Sequence, residues 1–252
     1  MTGKGNKKVE FSIIGAGRFG TFWGRHLSKY YPTCFYDTDP GRESHIKRFA
    51  EWQPLDVCLQ KKYIFLTIPI GKLESFLQKQ AGRIRPSSVV VDCASVKVPV
   101  IQWFEQYLPP DVYYVASHPL FGPDSARIRL HDQLMVLLPG HIPFTDYRFL
   151  FKFLTDKLKL QVMNMTAEEH DEMMAYNLNL VHHLGRALHD LGIGRLPLMM
   201  SGLKKLNEIV SVVMNDTQEL FSDFYKYNRH AGQVLSEWEK SFDKISRRLG
   251  LK

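Results

Sequence analysis

The sequence predicts an α/β protein in which a doubly wound, mostly parallel sheet is followed by an all-helical second domain. Three observations carry this. Short β-branched apolar runs alternate with helical periodicity as far as Met165, a G-x-G-x-x-G loop sits at the first strand-to-helix junction, and from Thr166 onward only helical patterns recur. The domain boundary is placed there, giving 1–165 and 166–252.

The first unit runs from Val9 to Asp37. Residues 9–14 are apolar enough for a buried parallel strand. Gly15-Ala16-Gly17-Arg18-Phe19-Gly20 follows at once, then Phe19, Phe22, Trp23, Leu27 and Tyr30 recur at helical intervals until Pro32. Thr33 to Tyr36 forms a second strand that stops at Asp37. The order of strand, glycine turn, helix, strand and terminal acid defines a Rossmann-type dinucleotide site. Gly15 permits the tight turn, Gly17 the approach of a pyrophosphate, and Gly20 the close packing of helix on strand. Arg18 and Phe19 lie inside the loop, where the helix N-terminus offers N–H groups and a positive dipole end. Asp37, roughly 20 residues beyond the loop, stands where an acid meets ribose hydroxyls. A 2′-phosphate would face Asp37 and Asp39 with only Arg42 to offset them, so NAD is favoured over NADP.

Along the chain, residues 41–53 suggest a short surface helix. Tyr63 to Thr67 is the next strand, and Thr67 and Pro69 after it either flank a cofactor ribose or simply form a turn. Lys72 to Ala81 carries a helical pattern. Ser88 to Asp92 is another buried strand and runs into Cys93-Ala94-Ser95-Val96-Lys97, with Ser95 expected as N-cap of the helix bearing Val100, Phe104 and Leu108. Asp111 to Ala116 is the following strand, and Ser117-His118-Pro119-Leu120-Phe121-Gly122-Pro123-Asp124 is expected as the loop beyond it. A histidine in such a loop can be structural, or it can accept a proton near neutral pH. Leu134 to Leu138 and Leu160 to Met165 are further strands, with a helix over 144–158 between them.

Thr166 with Glu169 fits a capping box for a helix that extends through Leu191. In the last helix Ala231, Leu235, Trp238, Phe242, Ile245 and Leu249 recur at heptad spacing, a seam that wants a partner helix in the same chain or in a second subunit.

The formal charge is +7, but basic residues are dispersed and form no tract suited to nucleic acid. No apolar run approaches the ~20 residues of a membrane helix. Cys34, Cys58 and Cys93 lack metal or redox spacing, so no metal site is expected, and their scatter suits a reducing compartment. Met1 to Lys8 is polar and basic without an apolar core, so the expected location is the cytoplasm.

The motifs together resemble the prephenate/arogenate dehydrogenase family of tyrosine biosynthesis, over nearly the whole chain. The specific signature is Ser117-His118-Pro119-Leu120-Phe121-Gly122-Pro123 following Asp92-Cys93-Ala94-Ser95-Val96-Lys97, with Glu169-His170-Asp171 further on. Val181-His182-His183-Leu184-Gly185-Arg186 and the stretch from Asp216 to Asn228 are most similar to plant-type arogenate dehydrogenases. The resemblance implies NAD(P)-dependent oxidative decarboxylation of prephenate or arogenate, a small anionic cyclohexadienyl substrate. Hydride leaves ring C4, CO2 is lost and the ring becomes aromatic. His118 would accept the hydroxyl proton, Ser95 would bind the hydroxyl or orient His118, and Gly122 would shape the nicotinamide side. His182 would face the substrate or be a core histidine, and His183 is structural. The substrate-carboxylate arginine that many bacterial members carry on a later helix has no counterpart near Val212-Val213-Met214, so Arg186 is the candidate partner, with Arg127 and Lys97 as runners-up. The family is dimeric through its helical domain, which would also complete the pocket. Plant-type members often prefer NADP, against the reading of Asp37. Rival readings are dehydrogenation of a related cyclohexadienol in secondary metabolism and a cofactor-binding regulator without catalysis.

Overall fold

The structure, a computed structural model, describes residues 9–126 and 130–251. The chain divides into two compact units, Met1–Met165 and Thr166–Lys252.

The first unit is built on β1 (Phe11–Ile14), every residue of which is buried. It pairs in parallel with β2 (Thr33–Tyr36) on one side and β4 (Tyr63–Leu66) on the other. That placement defines the doubly wound switch point, where the chain leaves one edge to extend the other. Outward come β3 (Glu51–Trp52) on one side, and β5 (Val89–Asp92), β6 (Tyr113–Pro119), β7 (Leu134–Pro139) and β8 (Gln161–Met163) on the other, in the order β3-β2-β1-β4-β5-β6-β7-β8. All neighbouring pairs are parallel except β6 with β7. Helices α1 (Arg18–Leu27), α4 (Ile70–Gln80), α5 (Val98–Tyr107) and α6 (Phe144–Lys152) provide the main helical connections and cover. The core is rich in aromatic rings. Phe11 lies 4.9 Å from Tyr31, 5.4 Å from Phe153 and 5.6 Å from both Tyr63 and Phe65, at the tilted and edge-on angles that aromatic pairs prefer.

Several expectations are corrected here. Residues 41–53 do not form one helix: a 3-10 turn (Pro40–Arg42) leads into α2 (Glu43–Ile46), and the chain then adds β3 to the sheet edge before α3 (Leu55–Cys58). Only Ile46 of α2 is buried, too little apolar surface to sustain a longer helix. Ser95 is not the N-cap of α5. That helix begins at Val98 after Lys97, with Pro99 in its first turn, where the missing N–H costs nothing. His118 is not in a loop, because β6 runs on through Pro119. Its parallel pairing with β5 reaches only Val91–Val115, but its antiparallel pairing with β7 matches Ser117 to Leu137 and His118 to Val136. The sequence-distant β7 therefore lengthens the strand past its parallel neighbour.

The second unit is helical. Thr166 caps α7 (Ala167–Met174) in a capping box with Glu169. A π turn (Ala175–Leu180) joins it to α8 (Val181–Asp190). After Gly192, which takes a left-handed conformation, come α9 (Ser201–Val213), α10 (Gln218–Tyr227) and α11 (Ala231–Arg248). The heptad seam of α11 is buried at Ala231 and Leu235, while Phe242, Ile245 and Leu249 are 57%, 57% and 68% exposed. Among the described residues no helix is long and apolar enough to cross a membrane.

Removing a ring from the centre of the aromatic cluster tests this packing. Phe11→Ala is expected to lower unfolding free energy by about 3–5 kcal/mol in urea titration, with the secondary structure of the remaining native state retained.

Candidate active site

Strand β1 delivers the glycine turn to the C-terminal edge of the sheet. Gly15 adopts φ +109°, and a Cβ there would stand 2.8 Å from the Thr67 carbonyl oxygen, so both conformation and space demand glycine. A Cβ on Gly20 would strike the Gly15 carbonyl at 2.0 Å, so α1 packs against the turn with no room for a side chain. Thr67 closes the turn from β4, donating its hydroxyl to the Gly15 carbonyl at 2.7 Å. Pro69 flanks the N-terminus of α4, and Phe19 stacks on the buried Trp23. Gly17 precedes α1, whose first turn receives no side-chain cap and holds no acid, and a Cβ on Gly17 would meet nothing within 4 Å.

Asp37 accepts the Ala16 N–H at 2.5 Å and the Asp39 N–H at 2.9 Å. Arg42 donates to the carbonyl of that same Ala16 at 2.8 Å while paired with Asp39. The acid at the end of β2 and the base that follows it thus clasp one residue of the glycine turn. Asp37 still has lone pairs for a diol, since a carboxylate offers about four acceptor sites.

The segment after β6 folds back on this region. Phe121 is buried beside Phe22 and Trp23 of α1, with centroids 6.3 and 6.0 Å away. Arg18 forms an ion pair with Asp124 at 2.8 Å. The helix that follows the glycine turn and the segment that follows β6 are therefore joined by ring contacts and by an ion pair. Gly122 has open space where a Cβ would go, and its N–H is held by Ser125. Ser95 is half-buried in the bend after β5, and His118 is buried at the end of β6. Arg127 lies outside the described residues.

Lys97 corrects another expectation. It is fully buried, paired with the equally buried Asp92, and donates to the Ser117 carbonyl. It has no surface to offer a substrate carboxylate. Cys34 and Cys58, far apart in sequence, meet with their sulfurs 3.4 Å apart. Among the described residues no cluster of metal-ligating side chains occurs.

In the second unit, His182 on α8 is buried between the rings of Phe221 and Phe224, with Nε2 3.5 Å from an Asp216 carboxylate oxygen. Burial, aided by the neighbouring Arg186 charge, pushes its pKa down to about 4. Arg186 is held by the Gln218 side chain and the Asp216 carbonyl at 3.2 and 2.9 Å, and lies over the Phe221 ring. This ties the C-terminal end of α9 to α10 and leaves little of the guanidinium free for a carboxylate. His183, half-buried on the same helix, lies edge-on to Trp238. Four buried side-chain polar atoms among the described residues lack a hydrogen-bond partner, and three lie on α8 or the π turn before it: Asn179 Nδ2, His182 Nδ1 and Arg186 Nε. Asn179 was missed from sequence. An amide amid an apolar helical pattern was the available signal, and it falls within the π turn, a distortion frequent at functional sites.

The first unit is thus a nucleotide-binding domain of dehydrogenase type with a buried histidine at its sheet edge. Residues 35–146 match the family described as the prephenate dehydrogenase nucleotide-binding domain, and residues 187–252 match the TYRAAT1-like C-terminal domain. Arogenate dehydrogenases 2 and 1 of Arabidopsis thaliana, both named chloroplastic, are each 26% identical over 96% of this chain, which spans 70% of the first and 39% of the second. The crystal structure of prephenate dehydrogenase from A. aeolicus, in complex with hydroxyphenyl propionate and NAD+, superposes with a TM-score of 0.76 over 98% of this chain and 92% of that one, at 18% identity. By these matches the chain resembles the prephenate/arogenate dehydrogenases over nearly its whole length and is an oxidoreductase.

The depressed His182 pKa has a testable sign. The unfolded chain takes up a proton near pH 6.5 and the folded chain only near 4, so stability falls as pH drops through that window. In thermal melts between pH 7 and 4.5, His182→Gln is expected to flatten the fall seen in the parent chain.

Proposed function

We propose that this chain catalyses NAD-dependent oxidative decarboxylation of prephenate or arogenate. The observation that carries the proposal is His118, buried at the overhanging end of β6 and followed by a segment anchored to the glycine turn through Phe121 and the Arg18–Asp124 pair. A proton acceptor and a dinucleotide turn are thereby built into one edge of one sheet.

The residues fit NAD. The uncapped start of α1 and the open space over Gly17 suit a pyrophosphate, and Asp37 suits unphosphorylated ribose hydroxyls. Arg42 is already paired with Asp39 and the Ala16 carbonyl, which supports NAD over NADP. When bound, the nicotinamide takes the hydride. The chain's own residues supply position and proton transfer. The His118 imidazole takes the proton of the ring hydroxyl as that oxygen becomes a carbonyl, and Ser95 holds the same oxygen. Thr67 and Pro69 frame the ribose side, and Gly122 leaves space for the ring. The exposed end of the α11 seam supports pairing of two copies through the helical unit.

With prephenate and arogenate offered separately, NADH formation followed by absorbance is expected for at least one of them. His118→Ala should lower kcat about 10²–10⁴-fold with NAD binding retained, and an unchanged kcat would remove His118 from the mechanism. Asp37→Ser should shift the ratio of kcat/KM for NAD over NADP by about tenfold toward NADP, the worth of a hydrogen bond to a charged group.

A further inference from the structure

β6 is longer than β5, and the difference creates a problem at Ser117. The parallel ladder between the two strands ends at Val91–Val115, so beyond it the β5 side of β6 has no strand to pair with. Ser117 is fully buried, and a buried N–H or C=O without a partner is costly. Two side chains stand in for the missing strand. Asp92 Oδ1 accepts the Ser117 N–H at 3.0 Å, and Lys97 Nζ donates to the Ser117 carbonyl. The Ser117 hydroxyl in turn donates to the Asp92 backbone carbonyl. The other carboxylate oxygen, Asp92 Oδ2, accepts the Ala94 N–H at 2.9 Å and pairs with Lys97.

We infer that the buried Asp92–Lys97 pair is the positioning device of the active site, setting the backbone on which both Ser95 and His118 are carried. Asp92 holds Ala94, the residue before Ser95, with one oxygen and Ser117, the residue before His118, with the other. Lys97 locks the arrangement by bridging that carboxylate to the Ser117 carbonyl. From the opposite side β7 pairs with His118 itself, so the peptide around it is gripped on both edges. A buried ion pair is weak as a source of stability, because its desolvation offsets its attraction. A role in holding geometry accounts for placing a lysine where its charge has no solvent at all. Neither side chain touches the reacting atoms, so both are positioning residues. The inference rests on the reading of His118 as proton acceptor.

The test uses the full chain with NAD and whichever substrate it turns over. Lys97→Met keeps the length and apolar stem of lysine and removes its hydrogen bonds to Asp92 and Ser117. Its kcat should fall roughly 10²-fold, the cost of an ångström-scale misplacement, with the NAD KM unchanged and the limb of the pH–kcat profile displaced. In the His118→Ala background the same substitution should cost far less, because both changes disable one unit. If Lys97→Met leaves an uncompensated charge and does not fold, Lys97→Met with Asp92→Asn buries none and should show the same kcat loss. Wild-type kcat in a folded variant, a loss confined to NAD KM, or losses that multiply with His118→Ala would each overturn the inference. Unchanged kcat in His118→Ala alone would instead remove the reading of His118, a separate outcome.

Discussion

Strand β6 has neighbours of two kinds, and it is longer than one of them. Much of the candidate site follows from that mismatch. β7 runs antiparallel to β6 and holds it as far as Pro119, while β5 stops pairing at Val115. The last residues of β6 therefore project beyond the parallel part of the sheet with a rigid backbone, where a loop would otherwise begin. An unmet peptide group there would cost about 1–3 kcal/mol. The carboxylate comes from the last residue of β5 and the ammonium from the segment that follows it, so the segments bearing Ser95 and His118 are fixed by one network.

The other side of the site obeys a similar economy of contacts. Ala16 has its N–H held by Asp37 and its carbonyl by Arg42, while Thr67 holds the carbonyl of Gly15 next to it. Three strands, β1, β2 and β4, thus determine the shape of one short turn. The two sides meet through Phe121 on Trp23 and through Arg18 with Asp124. The glycine turn and the strand end that carries His118 thus belong to a single packed object.

What was legible in the sequence was local. The strand, glycine turn, helix and acid of residues 9–37 specify one another at short range, and the capping box at Thr166 is a three-residue signal. What was not legible depended on partners remote in sequence. His118 reads as a loop residue until β7 arrives to pair with it. Lys97 reads as a candidate partner for a substrate carboxylate until Asp92 and Ser117 are seen to enclose it, and Ser95 reads as a cap because nothing local shows that α5 begins only at Val98. The contact of Cys34 with Cys58 has no spacing rule behind it. The charge on Arg186 was visible, but its engagement by Gln218 and Asp216 required the turn between α9 and α10 to fold beneath it. The resemblance to a dehydrogenase family was legible because its motifs are short runs of neighbouring residues, such as Ser117 to Pro123 and Asp92 to Lys97, that need no folded partner to be read.

The π turn at Ala175–Leu180 bears on how the second unit is addressed. A π turn holds one residue more than an α-helix needs for the same advance, and each residue turns an α-helix by about 100°. Everything after the turn is therefore clocked by a fraction of a revolution relative to everything before it. α7, with its buried His170–Asp171 contact, is read on one setting, and His182 and Arg186 on another. A single supernumerary residue near Asn179 acts as the key that chooses which side chains of a long helix face inward. The polar face of α8 is thus encoded as much by the number of residues that precede it as by their identity.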